Sequence, residues 1–213
     1  MNILPWSPSL TAGQLPKDKG TKWRGNSGLS DGSDLTDVKS GLIGGYYDTG
    51  DNIKFHFPMA FSMTLLSWSV IEYSAKYKVV GEYDHVRELI KWGTDYLLLT
   101  FNSSASTIDK VYSQVSIAKI NGTESDYHYC WNWPEDMAYP RPVQMASSAP
   151  DLGVEMAAAL AVASIVFRDN TAYSKKLVNA TATVYKFARS SGRHTPYSCG
   201  NQFIEYYYNS TSY

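Results

Sequence analysis

The sequence has little of three things, and each shortage excludes something. It has only two cysteines in 213 residues, Cys130 and Cys199. Two can close at most one bridge, so no disulfide framework holds the fold, and no metal-ligand spacing surrounds either one. It has almost no charge imbalance, with a formal net charge of −1. A near-neutral chain gives no reason to expect nucleic acid or an anionic membrane surface as partner. It also lacks a long apolar run. The longest, around "MAAALAVASIVF", is too short to span a bilayer and has a helix-like pattern. The start, "MNILPWSPSLTAG", has no basic residue and no apolar core of a signal peptide.

Aromatic rings, by contrast, are plentiful: 14% of the chain, including 17 Tyr and 6 Trp. Rings with a polar handle suit half-wet clefts and interfaces. A carbohydrate-binding cleft is of that kind, and a tyrosine-rich core and surface is the alternative. Four N-x-S/T sequons occur, at Asn102, Asn121, Asn179 and Asn209. Together they lean towards a secretory or luminal history and mark candidate glycosylation sites.

Helical spacing dominates the rest. Residues 59–77 read as a helix beginning just after Pro58, with a wide apolar face that predicts burial on most sides. Residues 82–101 read as a second, with Val86, Leu89, Ile90, Gly93, Tyr96 and Leu97 in helical register. Residues 151–167 form an alanine-rich third after Pro150. Residues 171–190 form a fourth, with Leu177, Val178, Val184 and Phe187 on one face. No strand ladder stands out beyond short pieces such as "KVYSQVSIAKI". The class is therefore α-rich: helical hairpins with functional loops between them.

Two loops carry the chemistry. In "GLIGGYYDTGDNIKFHF", Asp48 and Asp51 lie three apart among glycines that permit tight turns and close approach to a ligand. One reading is a turn whose carboxylates bond backbone amides. The other is a carboxylate pair that holds and deprotonates a water, as glycoside hydrolysis requires of its base. Lys54 nearby favours ionised carboxylates on the second reading. No further carboxylates at calcium-loop spacing follow. In "DYHYCWNWPEDM", His128, Trp131 and Trp133 gather near Glu135 and Asp136. That is either a compact aromatic cluster or a platform on which a sugar stacks while His128 bonds a hydroxyl.

The blocks "WRGNSGLSDGSD", "GGYYDTGDNIKF", "YCWNWPEDM", "SSAPDLGVEMAAALAVASIVF" and "YYNSTS" occur in the order of, and resemble, those of glycoside hydrolase family 9, the plant endo-β-1,4-glucanases. "FHFPM", "GEYDHVRELIKWGTDYLLLTFNSS" and "YNSTS" most resemble its membrane-anchored plant subgroup. The resemblance implies an all-α fold, an α/α toroid of six hairpins, of which residues 15–213 are the N-terminal part of the catalytic domain, behind a divergent segment of residues 1–14. It implies inverting hydrolysis of internal β-1,4-glucosidic bonds in cellulose or cell-wall glucan. Asp51 is then the base and Asp48 holds the attacking water. His128 and Trp131 contact sugar, and Tyr208 lines the non-reducing side of the cleft. No cofactor is required, although the full family fold can bind calcium, to which Ser212 contributes part of a site.

The sequence departs from the family in three places. Thr49 stands where alanine is usual. The lead-in differs, and no membrane anchor precedes it. The family's later blocks, with the glutamate general acid, are not in this sequence, and none of Glu135, Glu155 or Glu205 matches that acid's motif. The expectation is thus an incomplete half of the toroid, of endoglucanase ancestry, and inactive alone or at most a weak glucan-binding module. Its inner-helix faces, such as "MAAALAVASIV", are expected to lie exposed.

Overall fold

The computed structural model describes residues 10–16, 22–48, 52–117, 119–120, 123–124 and 132–190. The four helices anticipated from apolar spacing are all there: α1 (His56–Val79), α2 (Tyr83–Leu97), α3 (Pro150–Val166) and α4 (Thr171–Ser190). The α1 helix begins at His56, ahead of Pro58 rather than after it. A proline in the first turn removes only an amide that has no intrahelical partner there, so Pro58 does not mark the boundary. Gly81 stops α1 with φ +78°, and the amides of Gly81 and Glu82 donate to the carbonyls of Lys78 (3.2 Å) and Tyr77 (2.9 Å). The second helix ends four residues short of the expected Phe101. Its last turn tightens, with Leu99 bonding Tyr96 O (2.9 Å) and Thr100 bonding Leu97 O (3.1 Å). Asn170 caps α4 by accepting the Tyr173 amide at 3.1 Å.

Among the described residues five short strands accompany the helices. Lys54–Phe55 (β1), Val111–Val115 (β2) and Val143–Ala146 (β5) form an antiparallel sheet in the order β1-β2-β5, with a bulge between Tyr112 and Gln114. Lys119–Ile120 (β3) and Thr123–Glu124 (β4) pair as a separate ladder. Both β2 and β3 fall in "KVYSQVSIAKI", the piece that the sequence marked as extended. Every residue of β2 is buried, so it shows no alternation to read.

The α3 helix is the hub, packed against α1 and α4 and more lightly against α2. Leu152, Met156, Ala159, Leu160 and Ala163 are fully buried there, with Leu177, Ala180 and Val184 of α4. This corrects one expectation. The "MAAALAVASIV" face is mostly covered, and only Val154 and Ile165 of α3 are large exposed apolar residues. The exposed apolar surface lies on α1 instead, where Phe61 (49%), Leu65 (46%) and Trp68 (56%) are open. That helix is therefore less enclosed than its composition suggests. Among the described residues no helix is long and apolar enough to cross a membrane.

Candidate active site

The loop that carries Asp48 is assembled from behind. Residues 42–47 run across the side of α2. Gly45, at φ +72°, lies so close to the Tyr96 ring that a Cβ would approach it to 2.7 Å. Only glycine satisfies both the turn and the contact. Trp92 Nε1 donates to Gly45 O (3.0 Å), and the Tyr46 hydroxyl donates to Leu89 O (3.0 Å). On the other side, the Ala12 amide bonds Gly45 O (3.0 Å) and the Tyr47 amide bonds Leu10 O (2.6 Å). Asp48 follows, half-buried, with its amide bonded to Ile53 O at 2.8 Å, so the chain returns on itself before entering β1 and α1.

Beneath this loop lies a buried ionic cluster. The Lys54 ammonium sits 2.7 Å from Asp31 and donates to Leu42 O at 2.9 Å. Arg141 meets the same carboxylate with Nε (2.7 Å) and Nη2 (3.2 Å), while its Nη1 donates to Asn52 O at 2.7 Å. Burial raises the Asp31 pKa, but Lys54 and Arg141 outweigh it and hold the carboxyl below its ordinary value. Burial, with the like charge of Arg141, pulls Lys54 down to about 8 against the attraction of Asp31. Lys54 therefore answers Asp31. The sequence reading had it favour ionised carboxylates at Asp48 and Asp51, and Asp51 lies outside the described residues.

His56 is also structural. Its Nδ1 lies 2.7 Å from Tyr112 O, an acceptor only, so Nδ1 carries the proton and Nε2 accepts from the Tyr96 hydroxyl at 2.8 Å. Burial lowers its pKa to about 4, which keeps the ring neutral.

The second loop is described from Asn132 onward. Trp133 is 49% exposed, ahead of a 3₁₀ turn at Pro134–Asp136. Glu135 turns away from solvent and is held by the Arg24 guanidinium and by the Gly25 amide (2.5 Å). Burial raises the Glu135 pKa, but these two donors outweigh it and keep it ionised, so it has no proton to give at neutral pH. Glu155 accepts the Thr64 hydroxyl at 2.8 Å, tying α3 to α1. Asp51, His128, Trp131, Tyr208, Ser212 and Glu205 lie outside the described residues, as do Asn121 and Asn209. Among the described residues no cluster of His, Cys, Asp or Glu could hold a metal ion. Asn102 and Asn179 are both exposed.

Asp31, Arg24 and Arg141 were missed by the sequence reading. Each sits in a Gly-, Ser- or Pro-rich stretch with no apolar period to announce burial.

A family model described as glycosyl hydrolase family 9 matches residues 10–213. "Endoglucanase 12" of Oryza sativa subsp. japonica is 87% identical over 95% of this chain and 32% of its own length. "Endoglucanase 7" of Arabidopsis thaliana is 57% identical over 94% of this chain, again 32% of its own. The chain thus spans about a third of the length of these curated relatives. Among solved structures, an endoglucanase from the termite Nasutitermes takasagoensis superposes with a TM-score of 0.84 at 34% identity, covering 96% of this chain and 45% of that one. The endoglucanase CelQ of Clostridium thermocellum, complexed with cellotetraose, superposes at 0.73 and 26% identity, covering 92% of this chain and 29% of that one.

Proposed function

Because this chain belongs to glycosyl hydrolase family 9, we propose that it supplies the base side of an inverting endo-β-1,4-glucanase site. Asp51 accepts a proton from the attacking water while Asp48 holds that water. His128, Trp131 and Tyr208 bind the glucan on either side, and Trp133 adds an exposed ring. The leaving oxygen takes its proton from an acid roughly 6.5–9.5 Å from the base, across the scissile bond. The observation that carries this reading is Asp48 itself. It is half-buried, its amide is tied back to Ile53, and it stands at the approach to α1 over a cluster of buried charge. The glucan follows from the relatives' names and from CelQ's cellotetraose. The exposed sequons Asn102 and Asn179 support passage through the secretory pathway. A mass decrease on endoglycosidase treatment of the plant-expressed protein tests that passage.

A second reading is favoured by the engagement of Glu135 with Arg24 and of Glu155 with Thr64: the 213-residue chain on its own binds glucan weakly and does not cleave it. One assay covers both readings, release of reducing ends from soluble carboxymethyl cellulose. The chain alone and its Asp51→Asn variant are expected at background. Joined to the remaining sequence of the rice relative, the chain is expected to hydrolyse, and Asp51→Asn to lower the rate about 100- to 10,000-fold. Undiminished hydrolysis by the joined Asp51→Asn protein overturns the base assignment. Cleavage by the chain alone that Asp51→Asn abolishes overturns the second reading.

A further inference from the structure

We propose that Arg141 is the positioning residue of the Asp48–Asp51 loop, holding both of its ends with one guanidinium. The inference rests on the reading of Asp48 and Asp51 as the catalytic pair, but its evidence is separate. One edge of the guanidinium is fixed by Asp31 through Nε and Nη2, at 2.7 and 3.2 Å. The remaining nitrogen, Nη1, donates to the carbonyl of Asn52, the residue just after the loop, at 2.7 Å. The guanidinium carbon lies 5.6 Å from the centre of the Tyr47 ring, the residue just before the loop. Tyr47 is in turn anchored, its hydroxyl donating to Ser27 Oγ at 3.0 Å. One rigid, buried cation therefore touches the residue on each side of the carboxylate pair.

Lys54 contributes to the same arrangement without duplicating it. Its ammonium lies 5.8 Å from the Tyr47 ring and neutralises Asp31, but its backbone-carbonyl bond goes to Leu42, away from the loop. Only a planar fork donates to Asp31 and Asn52 together, which a single ammonium on a flexible stem does not reproduce. Catalytic geometry is sensitive to small displacements, so a device that fixes the ends of the loop bears on the rate without touching substrate.

A merely structural Arg141 would serve only as a counter-ion for Asp31, and lysine would replace it. That difference supplies the test, made on the 213-residue chain. In Arg141→Lys the melting temperature is expected to stay near that of the parent, because the charge beside Asp31 is kept. The Asp48 amide, bonded to Ile53 O, is expected to exchange with solvent about 10- to 100-fold faster while the Ile90 amide of α2 is unchanged. The Asp48 carboxyl carbon resonance is expected to move, and Arg87→Lys, which changes an arginine on α2 paired with Asp169, should leave it in place. Unchanged Asp48 exchange in a folded Arg141→Lys protein, or equal acceleration at Asp48 and Ile90, overturns the proposal. If Arg141→Lys does not fold, the parent chain decides. A scalar coupling across the hydrogen bond from Arg141 Nη1 to the Asn52 carbonyl carbon supports the brace, and its absence overturns it. These readouts follow the loop and not turnover. A braced loop in a chain that shows no hydrolysis even when joined to the remaining sequence of the rice relative therefore defeats the proposed function and leaves Arg141 as assigned.

Discussion

Two interiors of opposite chemistry lie side by side in this protein. Around α3, Leu152, Met156, Leu160, Leu177 and Val184 are held by apolar packing alone. Under the Asp48 loop, Arg24, Asp31, Lys54, His56 and Arg141 are buried almost as deeply and are held by hydrogen bonds and charge. The difference follows from what each region presents. Helices bury a repeating apolar face and satisfy their own backbone, so nothing polar is needed between them. A glycine-rich loop has no such face, and its backbone carbonyls need donors. Arg141 to Asn52, Lys54 to Leu42 and Arg24 to Thr11 supply them. Apolar packing tolerates small shifts, whereas a fork of hydrogen bonds specifies position.

The two interiors should break differently. The largest effect is expected from Asp31→Asn, which leaves Lys54 and Arg141 buried without their carboxylate. Removing one partner of a buried ionic group costs about 3–5 kcal/mol, read as a lower urea midpoint at pH 7. A loss below about 1 kcal/mol would mean that water reaches the cluster and that it is not a true interior. Leu160→Ala in α3 should cost a comparable but somewhat smaller amount, about 2–5 kcal/mol. Unlike Asp31→Asn, it should leave Asp48 amide exchange unaltered relative to global unfolding. Loosening of the Asp48 loop by Leu160→Ala would show that the two interiors are one cooperative unit.

Acid should separate them further, because only one contains a titrating base. Folding lowers the His56 pKa from 6.5 to about 4. The unfolded chain therefore binds a proton that the folded one refuses, and stability rises with pH across that window. As pH falls from 6.5 to 4 the His56 contribution should disappear progressively, amounting to about 3 kcal/mol at the acid end. Asp31, whose pKa is lowered in the fold, adds its own loss only below its ordinary value of 3.8. Denaturant titrations at pH 7 and pH 5 measure the slope. His56→Gln should flatten it, and an unchanged slope would remove His56 from the account.

The same contrast decides what could be read from the sequence. The bounds of α4 were legible in the spacing of Leu177, Val184 and Phe187, and α3 in its alanine-rich run after Pro150. The candidate site was legible as a motif, since Asp48 stands in a glycine-rich turn whose residue types suggest chemistry. Its support was not. Asp31 lies in "SDGSD" and Arg141 between two prolines, where nothing periodic marks a side chain as buried. Lys54 was noticed beside the aspartate motif, but its bond to Asp31, at 2.7 Å, was not, because Asp31 stands 23 positions away in sequence. Ionic interiors are built from distant residues, 110 positions apart for Asp31 and Arg141, and local patterns do not carry that information.

The smallest effect on stability is expected where apolar side chains are not interior at all. Phe61, Leu65 and Trp68 follow one another at helical spacing on the open side of α1, each about half exposed. They are chemically like Leu160 and Met156 and lie in a neighbouring helix, yet truncating them removes little buried area. Leu65→Gln with Trp68→Ser should therefore change unfolding free energy by no more than about 0.5 kcal/mol per site. Association should respond instead. A contiguous apolar stripe of this kind promotes self-contact in water. Sedimentation velocity on the 213-residue chain should show species heavier than the monomer, and the double variant should shift the distribution towards the monomer without altering its melting temperature. A parent chain that sediments as a single monomer across the micromolar range would show the stripe to be too narrow to act as an interface. A double variant that unfolds as readily as Leu160→Ala would show that the α1 face belongs to the apolar interior after all.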